Sequence, residues 1–144
     1  MIIQATKENA PALAALAIQM WRSASLSELE ADFAELVSRE DAVCFIKYVE
    51  GKPIGFAQCQ LRHDYVEGTE TSPVGYLEGI FVQEGFRHQG HAKALLHECE
   101  QWAKRKECSE FASDCELTNT DSLQFHLAMG FDEANRIICF KKAI

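Results

Sequence analysis

The sequence predicts an α/β (α+β) sandwich, one central sheet with helices packed on it. Three observations predict it. The apolar period switches between two and about 3.6 along the chain, in the order β-α-α-β-β-β-α-β-α-β. Turn residues punctuate the segments, as at Glu50-Gly51-Lys52-Pro53 and Gly130. The helical patterns come in groups rather than after every strand, which favours mixed strands with segregated helices.

The elements follow in order. Ile2 to Ala5 is a short strand. Thr6 can cap the next helix, and Pro11 is tolerated in its first turn. Leu13, Leu16, Ala17, Met20 and Trp21 then fall at helical spacing. Ser25 or Ser27 caps a second helix with Leu29, Phe33, Leu36 and Val37 on one side. Ala42 to Val49 is a β-rich run, and Ile54 to Leu61 is its hairpin partner. Residues 63–73 form a polar, acidic loop, and Gly75 to Val82 is the next strand. A long helix runs from about Gly90 to Lys106, with Leu95, Leu96, Cys99, Trp102 and Ala103 in its apolar stripe. Glu110 to Leu117 is a strand, and Thr120 or Asp121 opens a short helix that ends at Gly130. Asn135 to Lys142 is expected to be the last strand.

The chain has 144 residues, enough for a single domain spanning 1–144 and not for a second. Its formal charge of −8 argues against nucleic acid and suits a cationic partner. No apolar run approaches membrane-spanning length, because Lys47, Glu78 and Lys104 break the best candidates. The start, Met1-Ile2-Ile3-Gln4, carries no basic leader or signal-length apolar run, so a cytoplasmic protein is expected. Six cysteines include no C-x-x-C pair, and most sit among apolar neighbours, so a reduced protein using Cys as a small core residue is expected. No metal is expected. His88 and His91 are three apart, but no carboxylate or thiol completes a zinc set, and His63 and His97 read as surface residues.

The most informative stretch runs from Gly75 to Ala92. A strand enters a tight turn, Arg87-His88-Gln89-Gly90-His91-Ala92, where a helix begins. The first turn of a helix leaves N–H groups unpaired at the positive end of its dipole. Gly90 and Ala92 let an anion come close to the backbone, and Arg87 adds charge. This describes a pyrophosphate cradle. The Walker sequence and the three-glycine dinucleotide fingerprint are both absent. An ordinary strand-to-helix turn is the alternative.

Arg87 to Ala92 resembles the coenzyme-A pyrophosphate motif of the GCN5-related N-acetyltransferases (GNAT). The strand order matches that superfamily over the whole chain. Asn119 to Phe131 resembles its closing motif, an Asn followed by a helix ending in Phe-Tyr-x-x-x-Gly-Phe. Trp21, the acidic loop around Tyr65, Gly-Tyr-Leu-Glu-Gly-Ile-Phe-Val and Ala-Ser-Asp-Cys-Glu are similar to the bacterial aminoglycoside 6′-N-acetyltransferases. The resemblance implies a mixed, mostly antiparallel central sheet flanked by about four helices. It implies acetyl-CoA as co-substrate and a polycationic aminoglycoside as acceptor, whose acetylation confers antibiotic resistance. It also implies a homodimer.

The family likeness further implies roles for single residues. Backbone groups at Ile80 and Val82, flanking Phe81, would pair with the pantetheine arm where the strand bulges, with Gly79 as the bulge residue, and one of their N–H groups would serve as an oxyanion donor. Asn119 would hold the arm from the other side. Glu78 would hold the acceptor amine and take its proton; a solvated strand carboxylate is the alternative. Asp114, placed in mid-strand among small and apolar residues, is costly without a partner, and a cationic acceptor is the natural one. Trp21 is either a core residue or a face for sugar rings and ammonium groups. Tyr65 borders the acidic loop and would touch the acceptor. His126 stands where many family members place a Tyr that protonates the leaving thiolate; an imidazole can donate that proton or simply pack. Fold does not fix substrate. Polyamine or peptide-amine acetylation, a non-catalytic coenzyme-A-binding module and a purely structural domain therefore stay open as rivals.

Overall fold

The computed structural model describes Met1–Ile144. Its strands are β1 (Ile2–Gln4), β2 (Ala42–Val49), β3 (Lys52–Arg62), β4 (Val74–Val82) and β5 (Phe111–Ser113). Its helices are α1 (Ala10–Ala17), α2 (Leu26–Leu36), α3 (His91–Arg105) and α4 (Thr120–Ala128). The five strands form one sheet in the order β1-β2-β3-β4-β5. All neighbours pair antiparallel except β4 and β5, which are parallel. The expected mixed, mostly antiparallel sheet with four helices is present.

Both faces of the sheet are covered, which explains the unbroken apolar run at the start of β2. Cys44 and Ile46 face α1 and α2, together with Phe56 and Phe81. Val43 and Phe45 face α3, together with Ile54, Ala57, Leu77 and Val82. Leu95 and Leu96 of α3 are buried against this second face, each contributing about 1.5–3 kcal/mol of hydrophobic stabilisation. Gly75 is small for a reason: a Cβ there would lie 2.7 Å from both the Ala103 Cβ and the Phe111 ring.

The local signals act as the residue types dictate. Ser25 caps α2 by accepting from the Glu28 N–H at 3.4 Å. Pro11 lies in the first turn of α1. Gly51 and Gly130 take left-handed conformations, at φ 76° and 91°, that glycine adopts without steric cost.

Three expectations need correction. Trp21 does not belong to α1, which ends at Ala17; it sits in the following turn, its N–H bonded to the Ala17 carbonyl at 2.8 Å. β5 stops at Ser113, so Asp114 lies just past the strand and is exposed rather than held in mid-strand. Residues 135–142 form no strand, and Ile137, Ile138 and Phe140 are 67%, 81% and 90% exposed. The short apolar run is there in the sequence, but a strand exists only where another strand supplies its hydrogen bonds.

Candidate active site

β4 positions the site through a break in its pairing. Gln58 of β3 faces Gly79 while the next residue, Cys59, faces Leu77. Glu78 is therefore the extra, unpaired residue of a β-bulge, one position before the expected Gly79. The bulge switches the side-chain parity of the strand. Leu77 faces α3 before it, and Ile80 and Val82 face α3 after it, while Phe81 turns to α1 and α2. On its other edge β4 pairs with β5 only from Gly75 to Leu77. Beyond that point Ile80, Phe81 and Val82 have a strand on one side only, leaving an open backbone edge.

The open edge leads to the cradle. After β4 the chain makes a short 3₁₀ turn, Glu84–Phe86, and then reaches Arg87. His88 and Gly90 both take positive φ, 62° and 83°. Gly90 is the N-cap residue of α3 and offers no side-chain cap, so the first-turn amides at His91 and Ala92 have no partner inside the helix. A Cβ at Gly90 would meet nothing within 4 Å. Backbone conformation and clearance above the helix end, rather than crowding by the protein, select glycine here. Arg87 folds back: its Nε donates to the Val82 carbonyl at 2.8 Å, and its guanidinium lies 5.7 Å from the Phe81 ring centroid. It thereby ties the cradle to the end of β4. Gln89 is exposed beside it. These features fit a diphosphate: unpaired amides, an open approach, and a cation at the rim.

Two acids are linked beside the bulge, through residues that sequence reasoning missed. Arg62, the last residue of β3, donates to both oxygens of Glu78 at 2.5–2.9 Å. Its guanidinium stacks 3.5 Å from the centroid of Tyr76. The Tyr76 hydroxyl in turn donates to Asp114 Oδ2. Burial, reinforced by that bond to a carboxylate, pushes the Tyr76 phenol well above its ordinary pKa, so it stays a neutral donor. The signal was present in the alternation. Gln60 faces Tyr76 across the hairpin, so Arg62, two residues on, shares that face.

Trp21 walls the same place. It stacks on Phe33 at 6.5 Å and meets Phe56 edge-on at 6.2 Å. A Cβ at Gly79 would lie 3.1 Å from its ring. Trp21 is thus a core residue on one side and a neighbour of the bulge on the other. Beside it lies a hollow of about 290 Å³, whose lining includes Asp32 and Gln58. Asn119 caps α4, accepting from the Ser122 N–H at 3.1 Å, which leaves its amide NH₂ available. His126 has both ring nitrogens engaged: Nδ1 with the Ser122 carbonyl at 2.7 Å and Nε2 with Ser113 Oγ at 2.8 Å. A carbonyl only accepts, so Nδ1 carries a proton. The ring braces α4 against β5.

The sequence profile of the acetyltransferase (GNAT) family matches residues 10–131. The chain belongs to that family. Among relatives of this GNAT chain, aminoglycoside N(6′)-acetyltransferase type 1 of Serratia marcescens is 37% identical over 145 residues, covering 100% of this chain and 99% of its own. The protein of the same name from Salmonella typhimurium is 41% identical over 124 residues, 86% of each chain. A solved structure of AAC(6′)-Iy in complex with the bisubstrate analogue CoA-S-monomethyl-acetylneamine superposes with a TM-score of 0.96 at 38% identity. That match covers 100% of this chain and 98% of the other.

The acidic loop of the GNAT chain, residues 63–73, is pinned by one carboxylate. Glu110 Oε1 accepts from the Glu70 N–H at 2.9 Å, the Thr71 N–H at 2.8 Å and the Thr71 hydroxyl at 2.5 Å. Tyr65 projects from this loop, 76% exposed, and has no hydrogen bond or ring contact to Trp21, Glu78 or Asp114. The Thr71 hydroxyl, followed by the Glu70 amide, holds the Glu110 carboxyl below its ordinary pKa. A depressed folded-state pKa stabilises the loop at neutral pH, and that contribution fades as pH falls through the folded value. Amide exchange at Glu70 and Thr71, corrected for intrinsic rates, should therefore quicken below the usual carboxylate range. Glu110→Ala should show the fast exchange already at neutral pH; equal protection in the variant would sink the pin.

The cradle makes its own prediction. Gly90→Asp adds a carboxylate beside the unpaired amides and forces a non-glycine residue to φ 83°. Affinity for coenzyme A should fall at least about tenfold by calorimetry, a charge effect of ordinary size near a surface. Unaltered affinity would show that the diphosphate lies elsewhere.

Proposed function

We propose that residues 1–144 act as one cytoplasmic domain. It transfers the acetyl group of acetyl-CoA to the 6′-amino group of an aminoglycoside antibiotic, conferring resistance. The observation that carries the reading is the placement of Glu78. It stands at the bulge, linked with Asp114 into one network, at the start of an open strand edge that ends in the anion cradle. The names of the full-length relatives support the choice of acceptor. Six free cysteines, three of them buried, suit a reducing compartment.

When bound, acetyl-CoA supplies a thioester whose carbonyl carbon an amine can attack; the C–N bond forms as the C–S bond breaks, and coenzyme A leaves as a thiolate that takes up a proton given up by the amine. The chain does the rest. Amides at His88 to Ala92 and the Arg87 charge bind the diphosphate. The backbone edge at Ile80 to Val82 takes the pantetheine arm, and the Asn119 amide holds it from the far side. Four residue steps of strand lead from Glu78 to Val82, about 13 Å at the usual rise, so the arm runs along the edge from cradle to bulge. An ammonium has no lone pair, so Glu78 takes its proton, directly or through water, before attack. Asp114 holds a second ammonium, Trp21 offers a ring face to the sugars, and Tyr65 reaches the acceptor from its loop. Glu78→Gln should lower kcat by about 10²–10⁴-fold while coenzyme affinity holds. Thiol release measured with kanamycin, spermidine and a lysine peptide tests the acceptor class. Higher kcat/KM on spermidine or the peptide would replace the antibiotic reading, and coenzyme binding without thiol release for any amine would make the chain a non-catalytic module.

The same reading includes a homodimer, and residues 132–144 support it. Ile137, Ile138 and Phe140 stand exposed, and no backbone hydrogen bond ties this segment to the sheet. β5 is an edge strand with unpaired groups on its outer side, the kind of edge that accepts another strand. Sedimentation at micromolar concentration should give twice the 16.2 kDa chain mass. Ile138→Asp with Phe140→Asp should give the monomer. A monomeric parent protein would exclude the dimer.

A further inference from the structure

The geometry points to Arg62 as a positioning residue that divides the work of the two acids: it cancels the charge of Glu78 while aiming its carboxylate, and leaves Asp114 as the net charge that attracts the acceptor. This rests on the proposed roles of Glu78 and Asp114.

The argument begins with lone pairs. Glu78 Oε1 accepts from Arg62 Nε at 2.8 Å and Nη2 at 2.5 Å, which fills both of its acceptor positions. Oε2 accepts once, from Nη2 at 2.9 Å, and keeps one position open. The Glu78 side chain is only 16% exposed and belongs to an unpaired bulge residue, so the fork of Arg62 is what fixes its rotation. Arg62 is itself anchored by the Tyr76 face at 3.5 Å. A planar guanidinium can stack and bridge two oxygens together; an ammonium cannot. The two acids then differ in charge. Glu78 with Arg62 sums to zero. Asp114 accepts from a neutral phenol and has no cation paired with it. A polycation is thus drawn by Asp114, while the single open position on Glu78 Oε2 selects which hydrogen-bonding nitrogen is held at the bulge.

Arg62→Met separates these roles by moving KM and kcat in the same direction. The acceptor KM should fall by about fivefold, the factor one added unit charge a few ångströms away is worth in water. The value of kcat should also fall, by at least about tenfold, because the carboxylate is no longer aimed. A merely structural residue would not tighten the acceptor when removed. Arg62→Lys keeps the charge and loses the fork, so KM should stay near the parent value while kcat stays low; this variant carries the test if Arg62→Met does not fold. Thermal melting and coenzyme affinity confirm an intact fold in each variant. An acceptor KM that is unchanged or raised in folded Arg62→Met, or parental kcat in Arg62→Lys, overturns the inference. Glu78→Gln distinguishes the two levels: impaired Glu78→Gln beside normal Arg62 variants removes Arg62 alone, whereas parental kcat in Glu78→Gln removes the base and Arg62's role through it.

Discussion

The site depends on one constraint: β4 is fully paired for only part of its length. β3 pairs with it on one side from end to end, interrupted at Glu78. β5 pairs on the other side for three residues and stops. A strand buried in a sheet has its N–H and C=O groups committed on both sides. Here the committed stretch gives way, at the bulge, to a stretch with one free edge. The same position throws Glu78 out of the ladder, shifts the parity that sets which side chains face α3, and begins the open edge that ends in the cradle. Were β5 to continue alongside Ile80–Val82, the free backbone groups on that side would be paired and closed to any ligand.

Charge is arranged along that edge rather than spread evenly. The chain carries a formal charge of −8, yet an anion can bind where amides at a helix start and Arg87 outweigh the distant acids. About four strand residues away Arg62 offsets Glu78, and the unpaired carboxylate of Asp114 lies beyond Tyr76. Tyr76 joins the two environments that surround these acids, with its ring under Arg62 and its hydroxyl on Asp114. A phenol kept neutral by burial is suited to that link, because it binds a carboxylate without adding charge of its own.

Much of this was legible in the sequence because the signals are local. Turn glycines, the cap at Ser25 and the amphipathic stripe of α3 each specify a conformation over a few residues. The turn into α3 was legible because it needs only a glycine at a helix start, with a basic residue just before it. Arg62 and Tyr76 were not, because their importance comes from a register between two strands. Period-two alternation places them on one face, but a bulge slips the count by one, and Glu78 cannot be assigned to that face until the bulge is located. The exposure of Asp114 was misjudged for a related reason: a three-residue strand ends where its partner leaves it, and composition does not show where that happens.

The last segment shows what a strand pattern does and does not specify. Ile137, Cys139 and Lys141 alternate with Arg136, Ile138, Phe140 and Lys142, and both sets mix polar with apolar residues. Such a segment has no single inward face, so it does not dictate which side of a sheet it joins. Within the chain, both edges of β2, both of β3 and the inner edges of β1 and β5 are already taken. Apart from the short free stretch of β4 at Ile80–Val82, the outer edges of β1 and β5 are the positions left. β5 is the nearer in sequence, separated from residue 135 by α4 and the Gly130 turn. α4 is held close against β5 by His126 on Ser113, so the chain that follows starts its path beside that edge. A strand-like composition is thus not sufficient: whether such a segment pairs depends on which edges the rest of the fold leaves open.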